Sequence, residues 1–137
     1  MANQTYTFVL RHPCGLVIRQ GLRASELSSV PGVAARDMGT GYVWYDLPPA
    51  EIAGRKIALS LCFFGQDLES VSLAVVDANF DGASWGDWTP ATEQARAEAT
   101  EQWLETLGYP LGTYGWGTVY AGTDPKTGDS SGGVRFR

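Results

Sequence analysis

Asp77, Asn79 and Asp81, followed by Gly82, have the spacing in this chain that comes nearest to a known metal site. Oxygen ligands at positions 1, 3 and 5 and a glycine at position 6 begin the calcium loop of the EF-hand. The match ends there, because position 12, where a bidentate glutamate belongs, is Trp88. The segment before the motif also has the pattern of a strand rather than of a helix. We therefore expect a connecting loop and no cofactor, with the three oxygen-bearing residues as weak metal candidates.

His12 and Cys14 lie two residues apart in a turn sequence and have the residue types of an activated nucleophile. His12 is the only histidine of the chain, which leaves too few ligands for most zinc sites. Nucleophile and base meet through the fold in known sites and not through adjacency in sequence, so a surface turn is the favoured interpretation. Cys14 and Cys62 are the only cysteines. Their spacing does not decide whether they pair, although a reducing compartment is the default expectation.

Asp77, Asp81 and Asp87 could converge as a carboxylate pair of the glycosidase type. Three tryptophans could stack on a sugar: Trp85, Trp88 and Trp116. Nothing in the sequence fixes the carboxylate separation, and tryptophans beside glycine and proline in a small domain are more often core or loop anchors. A small enzyme or a carbohydrate- or ligand-binding domain is therefore the alternative hypothesis. A non-enzymatic function is favoured, because the P-loop, GxSxG and HExxH motifs are all missing from the sequence.

Charge is distributed unevenly along the chain. The formal net charge is −5, but residues 67–105 hold nine acids against Arg96 alone, for a net −8, and the remainder carries +3. An acidic field of this kind repels nucleic acid and anionic membranes and attracts a basic protein surface. The residues predicted to face such a partner are Asp87, Glu93, Glu98, Glu101 and Glu105. The competing interpretation is that the acids only keep the domain in solution.

Most of these acids lie in the one convincing helix pattern, residues 90–107. Thr89 suits the N-cap, Pro90 the first helical position and Gly108 the C-terminal stop. Apolar residues at steps of four form a ridge: Ala91, Ala95, Ala99, Trp103 and Leu107. We expect this helix to pack on a sheet through Ala95, Ala99 and Trp103, with its glutamates on the opposite side.

Alternation of apolar and polar residues predicts the strands on which that helix packs. Residues 6–10 and 16–20 form a predicted hairpin across a Pro-Cys-Gly turn. Residues 21–41 are interpreted as a long loop with one helical turn at 24–27, which could supply adaptable contacts to a partner.

The central part of the chain has the strongest strand signal. Residues 42–45 form a predicted strand ended by Pro48 and Pro49, and residues 56–64 and 69–77 form an antiparallel hairpin. The predicted buried face of that hairpin comprises Ile57, Leu59, Leu61, Phe63, Val71, Leu73 and Val75. A second hairpin is expected near the end of the chain, from residues 118–121 and 134–136.

These elements predict one α+β domain over residues 1–137: an antiparallel β-meander with one main α-helix packed on it and a C-terminal β-hairpin. The first residues lack the basic start and apolar stretch of a secretory signal. The longest apolar-rich run, residues 57–64, is too short to cross a bilayer. We therefore expect a cytoplasmic protein, with its oligomeric state left open.

The C-terminal part of the sequence resembles a loose group of small, mostly uncharacterised proteobacterial proteins of the toxin-immunity type. The resemblance covers 84–137 and is carried by Ser84-Trp85, Trp88, Glu93, Arg96, Trp103-Leu104, Gly108, Trp116-Gly117, Val119, Asp124-Pro125-Lys126, Gly128 and Val134-Arg135-Phe136. These are packing and turn residues, so the resemblance transfers no active-site residue. It implies a cytosolic protein-binding module that inhibits a bacterial toxin or effector.

Overall fold

The computed structural model describes residues 8–76, 90–123 and 130–136. Nine strands, one α-helix and one 3-10 helix occur in this part of the chain. In chain order they are β1 (Val9–Arg11), β2 (Val17–Arg19), the 3-10 helix (Ala24–Ser29), β3 (Ala34–Asp37), β4 (Tyr42–Ile52), β5 (Arg55–Phe64), β6 (Asp67–Val75), α1 (Pro90–Thr106), β7 (Gly112–Tyr114), β8 (Gly117–Thr123) and β9 (Ser130–Phe136). The predicted α+β class, with an antiparallel sheet, one main helix and a C-terminal hairpin, is confirmed.

Seven strands form one antiparallel sheet in the order β3-β4-β5-β6-β9-β8-β7. The first four follow one another as a meander, as the alternating pattern predicts. β9 then pairs with β6, with Val71 opposite Val134, and β8 and β7 continue outward from β9. The C-terminal hairpin is therefore part of the main sheet. Strands β1 and β2 form a separate hairpin, in which Leu10 is opposite Ile18.

One face of the large sheet is covered and holds the core. All seven side chains predicted to be buried on β5 and β6 are buried: Ile57, Leu59, Leu61, Phe63, Val71, Leu73 and Val75. Val119 of β8 and Val134 of β9 continue this apolar layer. Helix α1 covers β6, β9 and β8, and the β1–β2 hairpin adds Phe8, whose ring lies 6.4 Å from that of Phe136.

Helix α1 packs through a face that the four-residue ridge predicts only in part. Ala99 and Trp103 are buried, as predicted, but Ala95 is exposed, and Thr100 and Leu104 are fully buried. The expectation that Ala95 packs on the sheet is wrong for a geometric reason. A step of four residues turns 400° at 3.6 residues per turn, so a ridge with that spacing winds around the helix and leaves the sheet toward its N-terminal end.

The end of α1 is fixed by a Schellman arrangement. The Tyr109 amide donates to the Leu104 carbonyl oxygen at 2.9 Å, and the Gly108 amide donates to that of Glu105 at 2.9 Å. Gly108 has a φ of 96°, which glycine adopts without steric cost. The chain then places the Tyr109 hydroxyl 3.0 Å from the Val9 amide, from which it accepts a hydrogen bond. This contact connects the helix to the N-terminal hairpin. The predicted cap Thr89 lies outside the described residues.

Two boundary predictions are wrong. In residues 21–41 the 3-10 helix confirms the expected helical turn at 24–27, but strand β3 lies where a loop was expected. The 3-10 helix is held by the β5–β6 turn, where the Gln66 carbonyl oxygen accepts the Ala24 amide at 3.1 Å. Strand β4 does not end at Pro48 and Pro49 but runs through both prolines at a register shift between Leu47 and Ala50. A β-bulge leaves residues unpaired in the ladder and so tolerates prolines, which lack an amide proton.

Candidate functional site: the open sheet face

The second face of the sheet is not covered by any helix or strand of the described chain, and we call it the open face. Direct cross-strand partners share a face, and the row through the middle of the sheet runs Trp44, Cys62, Ser70, Arg135 and Thr118. A neighbouring row is formed by Asp46, Ser60, Ser72, Gly133 and Tyr120. The open face therefore combines hydroxyl groups, two aromatic side chains and charged groups.

Large apolar side chains are concentrated at the edge of the open face. Among the described residues, five large hydrophobic side chains are exposed, and four of these surround this face: Met38 (51%), Tyr42 (41%), Phe64 (49%) and Tyr120 (41%). The rings of Tyr42 and Phe64 are 4.8 Å apart. A concentration of exposed apolar groups within a polar surface is typical of an interaction site. These four residues are called the apolar rim below.

Tyr120 lies over Gly133 of the neighbouring strand. A Cβ atom at Gly133 would collide with the phenol of Tyr120 and would lie 2.9 Å from the carbonyl oxygen of Val71. The missing side chain is therefore what allows the Tyr120 ring to lie close to the sheet on the side opposite to α1.

Arg36, Asp46 and Ser60 form a hydrogen-bonded network at one side of the open face. The Arg36 Nε donates to Asp46 Oδ2 at 2.6 Å and its Nη2 donates to Asp46 Oδ1 at 2.8 Å. The Ser60 hydroxyl donates to Asp46 Oδ1 at 2.6 Å. The hydrogen bonds from Arg36 lower the pKa of Asp46, and the bond from Ser60 adds to this effect against partial burial. Arg36 also lies 5.7 Å from the ring centre of Trp44. Its charge is thus neutralised and its position fixed.

A groove of about 700 Å³ lies on the open face, where Met38 and Tyr42 of the apolar rim line it. Glu69 and Arg135 also line this groove. Glu69 is the extra residue of a β-bulge, because Cys62 pairs with Ser70 whereas Phe63 pairs with Leu68. No oppositely charged group of the described chain lies within ion-pair distance of Glu69 or Arg135. The groove therefore presents one acid and one base that are free to pair with a partner.

Cys62 lines this groove and carries a thiol, which is a possible nucleophile. Burial raises the pKa of the Cys62 thiol, and a hydrogen bond with Ser70 opposes this only in part. The thiol is therefore protonated at neutral pH and a poor nucleophile. The chemistry that these side chains support on the open face is binding through stacking, hydrogen bonds and ion pairs.

Three of the five acidic residues predicted to face a partner are described, and they lie on α1, on the other side of the sheet. Glu98 and Glu105 are exposed on α1 and Glu101 is partly exposed. On a helical wheel Glu98 and Glu105 differ by only about 20°, and both point away from the buried Thr100 and Leu104. The side chain of Glu93 and the whole of Asp87 lie outside the described residues. We call Glu98, Glu101 and Glu105 the acidic surface of α1.

Several other predicted sites lie outside the described residues, namely Asp77, Asn79, Asp81, Trp85 and Trp88. Trp116 is described and is buried, with its ring stacked 5.0 Å from that of Tyr114. It also lies 6.3 Å from Phe8. Trp116 is therefore part of the aromatic core, and the hypothesis that it stacks on a sugar is wrong.

His12 and Cys14 occupy the turn between β1 and β2, but His12 is not a surface residue. Its imidazole is buried, which corrects the surface-turn prediction, whereas Cys14 is exposed. The His12 Nδ1 atom accepts the Cys14 backbone amide at 3.1 Å, so this nitrogen does not activate the thiol. Burial lowers the pKa of His12. Cys14 and Cys62 are both free thiols, one exposed and one buried.

The sequence alone does not predict the open face as a site, although the strand pattern indicates some of its residues. The alternation that predicts Leu59, Leu61 and Val71 as buried also assigns Ser60 and Cys62 to the other side. The remaining residues come from distant parts of the sequence. Arg36 joins through β3, and Tyr120 and Arg135 join only because β9 pairs with β6.

No helix among the described residues is long and apolar enough to cross a membrane. Comparisons of the chain with protein-family models, curated proteins and solved structures found no match.

Proposed function

We propose that this protein is a cytoplasmic protein-binding module, and most concretely an immunity-type inhibitor of a bacterial toxin or effector with a basic surface. The observation that carries the proposal is the acidic surface of α1. Glu98 and Glu105 are exposed on one side of the helix. Among the described residues, no arginine or lysine lies within ion-pair distance of Glu98, Glu101 or Glu105.

Unpaired acids on a rigid helix are suited to fast recognition of a basic protein. Trp103 and Leu104 fix the helix on the sheet, so the carboxylates are displayed without reorganisation of the backbone. Surface charge of one sign raises association rates for a partner of the opposite sign. An inhibitor that must reach its toxin before the toxin reaches a target benefits from this property. The expectation from residues 84–137, a likeness to small proteobacterial proteins of the toxin-immunity type, points to the same function.

The proposal is tested by capture of the partner and by an inhibition assay. The wild-type protein is immobilised, incubated with lysate of its host, and the retained proteins are identified by mass spectrometry. We expect a basic protein whose expression alone arrests growth and whose co-expression with this chain restores growth. The Glu98→Lys/Glu105→Lys double variant should retain less of this protein and should protect less well.

Glu51→Lys is the matched control. Glu51 is an exposed acid on β4, opposite Lys56 and outside the acidic surface of α1. Its reversal makes the same change in charge at another surface. Equal loss of protection with Glu51→Lys and Glu105→Lys would show that only the overall charge matters. A captured protein with no effect on growth, or unchanged retention by the double variant, would contradict the proposed function.

A further inference from the structure

We propose that two copies of this chain associate through their open faces in a two-fold symmetric dimer. The proposal does not depend on the proposed function, because it concerns the side of the sheet opposite to α1. It rests on the apolar rim, on the two unpaired charges of the groove and on the shape of the surface between them.

The apolar rim provides exposed apolar surface that a stable interface would remove from water. Tyr42 and Phe64 form one aromatic pair at 4.8 Å, and Tyr120 lies three strands away on the same face. The relative exposure of these three residues lies between 41% and 49%. Aromatic residues, methionine and arginine are enriched at protein interfaces and lysine is depleted. The groove follows this composition, with Met38, Trp44 and Arg135 among its lining residues and no lysine.

The charges of the groove fit a second copy of the chain as the partner. Arg36 and Asp46 neutralise each other within one chain, whereas Glu69 and Arg135 have no ion pair among the described residues. Arg135 is opposite Ser70, the residue after Glu69. A partner that pairs with both side chains must place a base opposite Glu69 and an acid opposite Arg135, at the separation that these two residues have. The same face turned by 180° presents this arrangement by symmetry.

The shape and total charge of the molecule agree with this packing. Because Gly133 allows Tyr120 to lie close to the sheet, this ring leaves room for a second sheet above it. Two sheets packed face to face at about 10 Å form the common two-layer sandwich. The dimer places the two α1 helices on its outer sides, so the two acidic surfaces of α1 are far apart and both are accessible.

Sedimentation velocity and light scattering on the purified chain test the dimer. We expect the mass to rise with concentration from the 14.8 kDa of one chain toward twice that value. Arg135→Glu alone and Glu69→Arg alone each place like charges opposite each other twice in the dimer. Each variant should weaken self-association at least about tenfold, as expected for close charge pairs at an interface.

Mixing the two variants is the decisive step. One Arg135→Glu chain and one Glu69→Arg chain pair all four groups as opposite charges, so the mixture should form a heterodimer although each variant alone is monomeric. Arg11→Glu, at an exposed position of β1, makes the same charge change elsewhere and should leave the dimer intact. Circular dichroism checks that each variant is folded.

Three results would overturn the proposal. The first is a wild-type chain that stays monomeric up to about 1 mM, the weak limit of measurable association. The second is a dimer that both charge variants leave unchanged. The third is a monomer whose capture of a partner protein is abolished by Arg135→Glu, which would assign the open face to that partner instead.

Discussion

The indole Nε1 of Trp103 donates a hydrogen bond of 2.9 Å to the backbone carbonyl oxygen of Ile52. This bond joins the last turn of α1 to the end of β4, 51 residues earlier in the chain. The indole is also 97% buried, with a relative exposure of 3%. Trp103 therefore contributes both a large apolar surface and the partner of a buried carbonyl group.

Replacement of Trp103 tests how strongly the helix is held. Trp103→Ala should lower the free energy of unfolding by about 3–5 kcal/mol, because it removes a large buried side chain and leaves a cavity. Trp103→Phe keeps most of the apolar surface and removes the hydrogen bond, so a smaller loss of about 1–2 kcal/mol is expected. Urea unfolding of both variants and of the wild type measures these two losses. A loss below about 1 kcal/mol for Trp103→Ala would mean that the helix does not pack through this residue.

Thr100 provides a second, polar connection between helix and sheet. Its hydroxyl accepts the Val75 amide at 3.2 Å and donates to the Arg96 carbonyl oxygen at 2.9 Å. Val75 lies beyond Leu73, the last residue of β6 with a partner in β9, so the hydroxyl takes the place of a strand partner. Thr100→Val should leave a buried amide unsatisfied and cost about 1–3 kcal/mol in urea unfolding.

Thr106 is the control for this substitution. Its hydroxyl donates to the Gln102 carbonyl oxygen at 2.9 Å in the same helical geometry, but at the surface. Thr106→Val should change the free energy of unfolding by less than about 0.5 kcal/mol. Equal effects of Thr100→Val and Thr106→Val would remove the inferred role of Thr100.

Gly132 determines how closely α1 approaches β9. A Cβ atom there would lie 2.8 Å from Thr100 Cγ2 and 3.3 Å from Leu104 Cδ1. Gly132→Ala should therefore push the helix outward and destabilise the fold by about 1–3 kcal/mol, as overpacking does. Gly122 of β8 is the matched control, because a Cβ there has no neighbour among the described atoms within 4 Å. A melting temperature for Gly132→Ala that equals that of Gly122→Ala would contradict this packing.

His12 should give the fold a component of pH dependence. Burial lowers its pKa in the folded state, so the unfolded chain binds the proton more readily than the folded chain. The stability due to neutral His12 is complete above about pH 6.5 and falls as the pH drops below that value toward the folded-state pKa.

The variant His12→Asn isolates this component, because an Asn Oδ1 can accept the Cys14 amide but does not titrate. Urea unfolding between about pH 7.5 and about pH 5.5 should show a steeper loss of stability for the wild type than for His12→Asn. Parallel curves would mean that His12 is equally solvated in the folded and unfolded states.

The periodicity of the sequence predicts the centre of the fold well and its edges poorly. The alternation in β5 and β6 is strong because every second side chain from Ile57 to Phe63 and from Val71 to Val75 enters one core. β3 carries no such signal, since all four of its side chains are exposed at the sheet edge. The position of β9 beside β6 depends on long-range pairing of Val71 with Val134, which no local pattern encodes.

The candidate sites were predictable to different degrees for the same reason. Glu98 and Glu105 lie within one helix, so their common exposure follows from the helical repeat. The open face combines Arg36, Ser60, Arg135 and Tyr120 from four strands, and only the strand order places them together. The burial of Trp116 in the aromatic core agrees with the favoured interpretation of the tryptophans as core or loop anchors and excludes the sugar-stacking alternative for this residue.

We propose that the acidic surface of α1 guides a basic partner to this protein. This is tested by the association rate of the captured partner as a function of salt, for the wild type, for Glu98→Lys/Glu105→Lys and for Glu51→Lys. We predict that the wild-type rate falls as salt rises while the dissociation rate changes little. The double variant should associate more slowly and with a weaker salt dependence, and Glu51→Lys should behave like the wild type. An association rate that is indifferent both to salt and to the helix substitutions would contradict the account.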